Sequence, residues 1–170
     1  MSPVQPTVAQ NTIDSAQYLT YPDYDAAFTH VAVYVGNDTV IDSTPAHNIA
    51  DRAFPVAAAN SYTRALRLKG IGPATQHDFC SEAYLLRGQY NYVGAIADAL
   101  IRNAPLPAHW KKMLADLAAA SADGTYYCSQ YVNEVYVRAI NISVVDRRTF
   151  VPLPAAFSES RLFEDVAIHW

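Results

Sequence analysis

The spacing of apolar residues predicts a chain of short strands and amphipathic helices. Strict alternation of β-branched residues predicts a strand over residues 29–35, and turn-forming residues at 36–38 predict that residues 39–43 return beside it. The same criteria predict further strands at residues 62–68, 142–145 and 166–170. Apolar residues at helical spacing predict helices at residues 76–87, 93–102, 108–120 and 128–140. This succession of strands and helices indicates an α+β fold.

The connecting segments contain the signals that start and stop these elements. Residues 1–12 are expected to form a polar tail, residues 45–60 an irregular segment with short helical pieces, and the prolines near 152–154 a loop. Thr75, followed three residues later by Asp78, predicts the N-cap of the first helix. No repeat, low-complexity tract or linker interrupts the sequence, so we expect a single domain over the whole chain.

The composition is that of a globular protein with a slight excess of acidic residues. Of the 170 residues 51% are apolar and 16% are charged, which disfavours disorder and a coiled coil. A net charge of −4 argues against a nucleic-acid partner, and the sequence has no apolar run of 18 residues that could span a membrane. The first residues lack the basic and apolar stretches of a secretory signal. We therefore expect synthesis in the cytoplasm without a signal peptide, and any export by a signal-independent system.

The first predicted hairpin carries a candidate acid–base pair. In a hairpin centred on Gly36, His30 would lie directly opposite Asp42, and the odd-length loop would keep both on one face. Facing side chains have Cβ atoms about 5 Å apart, so the carboxylate could fix the tautomer of the imidazole and stabilise its charged form. The alternative is a solvated pair on the surface. The opposite, buried face of the hairpin would hold three valines, Val31, Val33 and Val35.

Cys128 is predicted to begin the last long helix, a position that would activate its thiol. The N–H groups and the positive dipole end of a first turn favour a thiolate, and the same N–H groups can stabilise an oxyanion. A neighbouring base would complete a cysteine nucleophile, whereas the alternative is a buried, purely structural cysteine. Tyr126, Tyr127 and Ser129 flank Cys128 and are candidate substrate or oxyanion contacts. The tyrosines could equally pack in the core, and Ser129 could simply cap the helix.

The other cysteine and the other histidines do not indicate a second site. Cys80 is expected inside its helix beside Phe79 and Ala83, where the helix dipole would change its pKa little. A disulfide between Cys80 and Cys128 would need an oxidising compartment. The remaining histidines have no zinc-binding spacing and the sequence has no glycine-rich phosphate loop, so neither a metal nor an organic cofactor is predicted.

Four segments of the sequence resemble one family of hydrolases. Residues 30–43 (HVAVYVGNDTVIDS) resemble its histidine-led strand and turn, and residues 126–132 (YYCSQYV) resemble its nucleophile motif. Residues 64–70 (RALRLKG) and 88–96 (GQYNYVGAI) resemble its middle strand and its tyrosine-rich segment. The family is that of the NlpC-type papain-like hydrolases, in the circularly permuted, YiiX-like branch, where the histidine strand precedes the cysteine helix. The resemblance covers most of residues 28–140.

The resemblance implies a permuted papain-like fold, with a small antiparallel sheet packed against helices, and a catalytic triad. Cys128 would match the nucleophile, His30 the general base and Asp42 the residue that orients the base. The implied activity is that of a cysteine peptidase or amidase, with the stem peptide of peptidoglycan as the first expected substrate. Such a protein could reach a target periplasm as a type VI secretion effector, and it would then need a cognate immunity protein.

Two other functions remain open. Related permuted folds process acyl chains with the same Cys-His pair, so a lipid or thioester acyl hydrolase or transferase is the first alternative. A non-catalytic binding module that keeps the fold is the second. An apolar groove would favour the acyl substrate, and an unactivated thiol at position 128 would favour the binding module.

Overall fold

The structure is a computed structural model that describes residues 30–54, 64–121, 123–143 and 154–166. Within these ranges the chain forms five strands and five helices. The strands are β1 (Val33–Gly36), β2 (Thr39–Thr44), β3 (Asn48–Ala53), β4 (Ala65–Leu68) and β5 (Phe163–Val166). The helices are α1 (Pro73–Leu85), α2 (Tyr92–Asn103), α3 (Ala108–Ala120), α4 (Cys128–Ile140) and α5 (Pro154–Glu159). The described part of the chain is therefore α+β, as predicted.

The strand β2 lies at the centre of a three-stranded antiparallel sheet in the order β1-β2-β3, and β4 pairs with β5 in a second antiparallel sheet. Successive side chains of a strand point to opposite faces. In β2 both faces are covered, because Val40, Ile41, Asp42 and Ser43 are all buried. The central strand therefore carries two polar side chains, Asp42 and Ser43, into the interior.

The β1–β2 hairpin turns one residue later than predicted. Asn37 and Asp38 form the turn. Both have positive φ, as the two central residues of a type I′ hairpin turn require. The register pairs Val33 with Ile41 and then shifts at a bulge between Tyr34 and Gly36. The predicted centre on Gly36 is therefore wrong. Continued outward, the observed register would place Asp42 opposite residue 32, two residues from His30.

The main core lies between the sheet and the helices α1 and α4. Ile41 of β2, Phe79 and Ala83 of α1, and Tyr131 and Val135 of α4 are buried in it. The hydroxyl of Tyr131 donates to the carbonyl of Ala83 at 2.8 Å, which satisfies the polar end of a fully buried ring. The three hairpin valines at positions 31, 33 and 35 pack against this core, on the side predicted for them.

The bounds of the helices agree with the sequence prediction more closely than the predicted N-cap does. The bounds of α3 and α4 are those predicted, and α2 extends one residue beyond its prediction at each end. Helix α1 begins at Pro73 with Gly72 as its N-cap, and no side chain caps it. The predicted N-cap role of Thr75 is therefore wrong. The proline explains the earlier start, because its fixed φ suits the first turn of a helix.

Several predictions outside the long helices differ from the structure. Residues 48–53 form β3 rather than an irregular segment. Pro154 begins α5 instead of lying in a loop, and β5 covers Phe163–Val166, of which only Val166 belongs to the strand predicted at residues 166–170. Residues 142 and 143 are not part of a strand. The predictions for residues 1–29, 55–63, 144–153 and 167–170 lie outside the described residues.

Candidate active site

His30 and Asp42 are joined by a hydrogen bond, although they do not face each other across the sheet. The Nε2 of His30 lies 2.6 Å from Oδ2 of Asp42. His30 precedes β1, so the prediction that it lies within the first strand is wrong. Because side chains alternate between the two faces of a strand, a register shift of two residues leaves His30 and Asp42 on the same face. The imidazole therefore reaches the carboxylate along the diagonal instead of directly across. The Asp42 side chain is 1% exposed and that of His30 is 37% exposed.

Arg52 binds the same carboxylate from the other side. Its Nε lies 3.1 Å from Oδ1 and 3.0 Å from Oδ2 of Asp42, and a terminal guanidinium nitrogen also bonds Oδ2. Arg52 is on β3, where it pairs in register with Val40, so it lies diagonally across from Asp42 on the same face. The buried carboxylate is thus held between a guanidinium and an imidazole.

Cys128 is the first residue of α4 and contacts the other side of His30. Its N-cap is Tyr127, in an extended backbone conformation, and only 3% of Cys128 is exposed. The Cys128 thiol and the His30 side chain lie close enough for each to shift the pKa of the other, and the backbone of Val31 and Ser129 also lowers the pKa of the thiol. Because Nε2 of His30 bonds Asp42, Nδ1 is the ring nitrogen left for the sulfur. The structure therefore brings His30, Asp42 and Cys128 together in one chain of contacts.

The interactions among Asp42, His30 and Cys128 favour the charged form of His30. Burial lowers the pKa of His30, but the hydrogen bonds and negative charges of Asp42 and Cys128 outweigh it and raise the pKa to about 10. Burial raises the pKa of Cys128, but the bond and charge of His30 and the two backbone donors lower it overall. Burial likewise raises the pKa of Asp42, and His30 and Arg52 bring it below its ordinary value. All three shifts act in the direction of charged groups, negative on Asp42, positive on His30 and negative on Cys128, which is the pattern that activates a cysteine.

The start of α4 is fixed against β2 and against residues 88–91. The hydroxyl of Ser43 donates to the carbonyl of Tyr126, and so does the backbone N–H of Asn91 at 3.3 Å. The N–H of Tyr126 donates to the carbonyl of Gln89 at 2.9 Å. Asp42 reaches His30, and its neighbour Ser43 reaches the segment before Cys128. Two adjacent residues of one strand therefore fix both halves of the site.

The flanking residues predicted as substrate or oxyanion contacts have three different surroundings. Tyr126 packs against the main core, which agrees with the packing alternative for its ring. Tyr127 is buried in a small cluster with Tyr90, on which Ala95 packs. Ser129 is 1% exposed, and its hydroxyl has no hydrogen-bond partner among the described residues. It does not cap the helix, because the N-cap is Tyr127 and no side chain caps it.

Cys80 lies apart from this arrangement. It is half-buried in α1, and burial alone raises the pKa of its thiol. Phe79 and Ala83, its predicted neighbours, are buried. Both cysteines are free thiols. Among the described residues no cluster of histidine, cysteine and acidic side chains is suited to a metal ion.

Sequence reasoning missed Arg52 and Tyr90. The sequence predicts an irregular segment where β3 forms, because this strand is short and largely polar, and Arg52 therefore has no predicted role. Residues 48–53 (NIADRA) do not alternate between apolar and polar residues, so the pattern offers no strand signal beyond the proline-containing segment at residues 45–47. Tyr90 is buried, and burial together with the negative charge of Cys128 raises the pKa of its hydroxyl. The tyrosine is therefore close enough to sense the charge of the sulfur.

Comparison of the chain with protein-family models, curated proteins and solved structures finds no match. No described helix has the length and apolar character needed to cross a bilayer.

Proposed function

We propose that this protein is a papain-like cysteine hydrolase that cleaves amide bonds. The proposal is carried by one observation: the His30 ring bonds the buried Asp42 carboxylate and lies close enough to the Cys128 thiol to lower the pKa of that thiol. Cys128 is the nucleophile, His30 the proton donor and acceptor, and Asp42 the group that orients the ring. Arg52 keeps Asp42 ionised and in place. A thiolate, an imidazolium and a carboxylate in this order are what thiol-dependent acyl transfer requires.

The reaction begins with attack of the Cys128 thiolate on the amide carbonyl, which forms a carbon–sulfur bond and places negative charge on the carbonyl oxygen. The N–H groups in the first turn of α4 are the donors available to that oxygen. His30 then gives its Nδ1 proton to the amide nitrogen, the carbon–nitrogen bond breaks, and the amine leaves. The acyl group remains on the sulfur as a thioester.

Hydrolysis of the thioester restores the enzyme. Neutral His30 takes a proton from a water molecule, and the oxygen of that water attacks the thioester carbonyl. The carbon–sulfur bond breaks, the acid product leaves, and Cys128 and His30 return as an ion pair. Asp42 holds Nε2–H of the ring through both steps, so the other ring nitrogen faces the sulfur and the substrate throughout.

For the substrate we propose the stem peptide of peptidoglycan, with the protein acting as an amidase or endopeptidase. This choice rests on the resemblance of residues 30–43 and 126–132 to the NlpC-type hydrolases. A role as an antibacterial effector, delivered by a type VI secretion system and blocked by an immunity protein in the cleft, follows from the same resemblance.

The substrate is tested by digestion of purified cell-wall sacculi, with soluble peptide fragments measured by mass spectrometry. We expect the parent to release fragments, Cys128→Ala to release none, and Cys80→Ala to match the parent. If the parent releases no fragments but cleaves acyl esters or thioesters in a Cys128-dependent way, the wall substrate is wrong and the acyl alternative holds. If it cleaves none of these and its Cys128 behaves as an ordinary thiol, the hydrolase proposal fails.

A further inference from the structure

Cys128 is covered, although a nucleophile has to touch the atom that it attacks. Only 3% of the residue is exposed. Attack on a carbonyl carbon brings the sulfur and that carbon within about 3–3.5 Å of each other. The closed surroundings of Cys128 leave almost no surface for such a contact. Access to the sulfur therefore depends on the side chains that cover it and on what holds them in place.

Tyr90 lies beside Cys128 and is one of these side chains. Residues 88–91 are hydrogen-bonded both to β3 and to the segment before α4, so the backbone that carries Tyr90 is fixed. The Tyr90 ring is buried against Tyr127, the residue before Cys128. Burial and then the negative charge of Cys128 raise the pKa of the Tyr90 hydroxyl, which places that hydroxyl near the sulfur.

A second tyrosine, Tyr92, packs on the side of Tyr90 that faces solvent. The two rings meet edge to face with their centroids 4.9 Å apart, and Tyr92 is 54% exposed. The hydroxyl of Tyr92 donates to the carbonyl of Pro45 at 3.0 Å. Pro45 follows directly after β2, so this one bond ties the start of α2 to the turn between β2 and β3. Tyr92 thereby holds the Tyr90 ring in its buried position.

The two helices that follow Tyr90 can move as a unit. Among the described elements α2 and α3 pack chiefly against each other. The side chain of Asn91, the N-cap of α2, accepts from the N–H of Gly94 at 2.6 Å and from the hydroxyl of Ser121, just after α3, at 3.2 Å. This clamp joins both ends of the helix pair at one point next to Tyr92. A small rotation there would break the Tyr92–Pro45 bond, because a separation of about 3.6 Å no longer counts as a hydrogen bond.

We propose that Tyr90 and Tyr92 form a gate over Cys128, which opens when Tyr92 releases the carbonyl of Pro45. In the closed form, which the structure shows, Tyr92 keeps the Tyr90 ring against Tyr127. In the open form Tyr92 moves away with α2, the Tyr90 ring rotates outward, and the sulfur becomes accessible. The control of catalysis by this gate rests on the proposed function, whereas the control of access to the sulfur does not.

The test measures the rate at which iodoacetamide alkylates Cys128 in a Cys80→Ala background, which leaves one cysteine of the two in the sequence. Tyr92→Phe removes the hydroxyl that bonds Pro45 and keeps the ring. We expect it to react about three- to tenfold faster than the background protein at every pH, because one hydrogen bond holds the gate closed. The shape of the pH profile should not change, since the partners of the thiol are untouched.

The matched control is Tyr84→Phe, which removes the same hydroxyl group from an exposed ring on α1 and should leave the rate of alkylation unchanged. Low concentrations of urea separate opening of the gate from global unfolding. Alkylation through the gate should respond weakly to urea, because little surface becomes exposed, whereas alkylation of the unfolded chain rises steeply with urea.

A further variant, Tyr90→Ala, removes the cover itself. It should react faster than the background protein, and adding Tyr92→Phe should then have no further effect, because no ring remains for Tyr92 to hold. Such non-additivity is expected of two residues that act through one contact. If Tyr90→Ala does not fold, the comparison of Tyr92→Phe with Tyr84→Phe still decides the proposal.

Three results would overturn the gate. They are alkylation of Tyr92→Phe at the rate of the background protein, an equal gain in Tyr84→Phe, and a gain in Tyr92→Phe that is matched by a loss of stability in urea unfolding. The outcome is separable from that of the proposed function. Cleavage of substrate together with any of these results overturns the gate alone. A gate that passes the test in a protein that cleaves no substrate overturns the hydrolase proposal alone.

Discussion

At the scale of single residues, Asp42 is the group on which the charges of the site depend. Its carboxylate is nearly inaccessible to solvent, yet it receives donors from both His30 and Arg52. A buried charge is tolerated only when its partners replace the water that it has lost. Removing either donor should therefore affect stability and the protonation of the site together.

Arg52→Gln should lower the free energy of unfolding by about 1–3 kcal/mol, because it leaves a buried carboxylate short of donors. The matched control is Arg64→Gln, which removes a pair of similar geometry with Asp165, whose side chain is 66% exposed. Such exposed pairs contribute about 0–1 kcal/mol. Urea unfolding of both variants measures the difference, and equal losses would show that Arg52 does not support a buried charge.

The stability of the protein should fall in acid through Asp42. A carboxyl group whose pKa is lowered by folding stabilises the fold when the pH is above its ordinary pKa of 3.8. This contribution is lost as the pH falls through the lowered pKa of the folded protein. Asp42→Asn should therefore be less stable than the parent near neutral pH and should lose less stability on acidification. Urea unfolding near pH 7 and at about pH 3 measures this. A parallel loss in the parent and the variant would contradict the assignment.

The sequence indicates part of the site, because some of its residues have chemistry that can be recognised in isolation. Cys128 at a helix start and a His/Asp pair on a hairpin stand out by residue type and spacing. Arg52 does not, because its role depends on β3, which was not recognised, and on a diagonal contact that no spacing rule specifies. Tyr90 depends on the packing of residues 88–91 against α4, which is set by tertiary structure alone.

At the scale of elements, the close approach of two backbone segments fixes where α4 begins. A Cβ on Gly88 would lie 2.2 Å from the carbonyl oxygen of Gly124, so only glycine fits. The carbonyl of Gly88 accepts from Ile49 of β3, and the N–H of Gln89 donates to Gly124. Residues 88–91 therefore link the sheet to the segment that leads into α4.

Gly88→Ala should lower the free energy of unfolding by at least about 2 kcal/mol, because the neighbouring backbone cannot move aside cheaply. The control is Gly72→Ala at the start of α1, where the added methyl group meets nothing and φ is negative. That change should alter stability by less than about 1 kcal/mol. Thermal and urea unfolding compare the two, and a tolerated Gly88→Ala would show that the two segments can separate.

Long helices were predictable and short strands were not. The apolar spacing of α3 and α4 extends over several turns, so their bounds follow from the pattern. The strand β3 has a single buried apolar residue, Ile49, and forms because β2 offers it a complete edge. The hairpin register depends on one bulge and on the positive φ of both Asn37 and Asp38. An error of one residue in the turn therefore shifted every predicted pair.

At the scale of the whole molecule, the fold joins two distant parts of the sequence around one imidazole. His30 bonds Asp42 on the sheet side, and on the helix side it lies close enough to Cys128 to lower the pKa of the thiol. The sheet and α4 are joined through Ser43, residues 88–91 and the shared core. The chemistry of the site therefore depends on the integrity of the fold rather than on any local segment.

The most direct test of this account is the pH dependence of alkylation of Cys128 by iodoacetamide, in a Cys80→Ala background. Burial of the sulfur slows the reaction at every pH, so the shape of the profile reports ionisation. We expect a nearly constant rate between about pH 6 and pH 8, and in the added His30→Gln variant a rate that rises about tenfold with each pH unit. A parent profile that rises as steeply as that of the variant would contradict the ion pair, and with it the proposed catalytic role of Cys128.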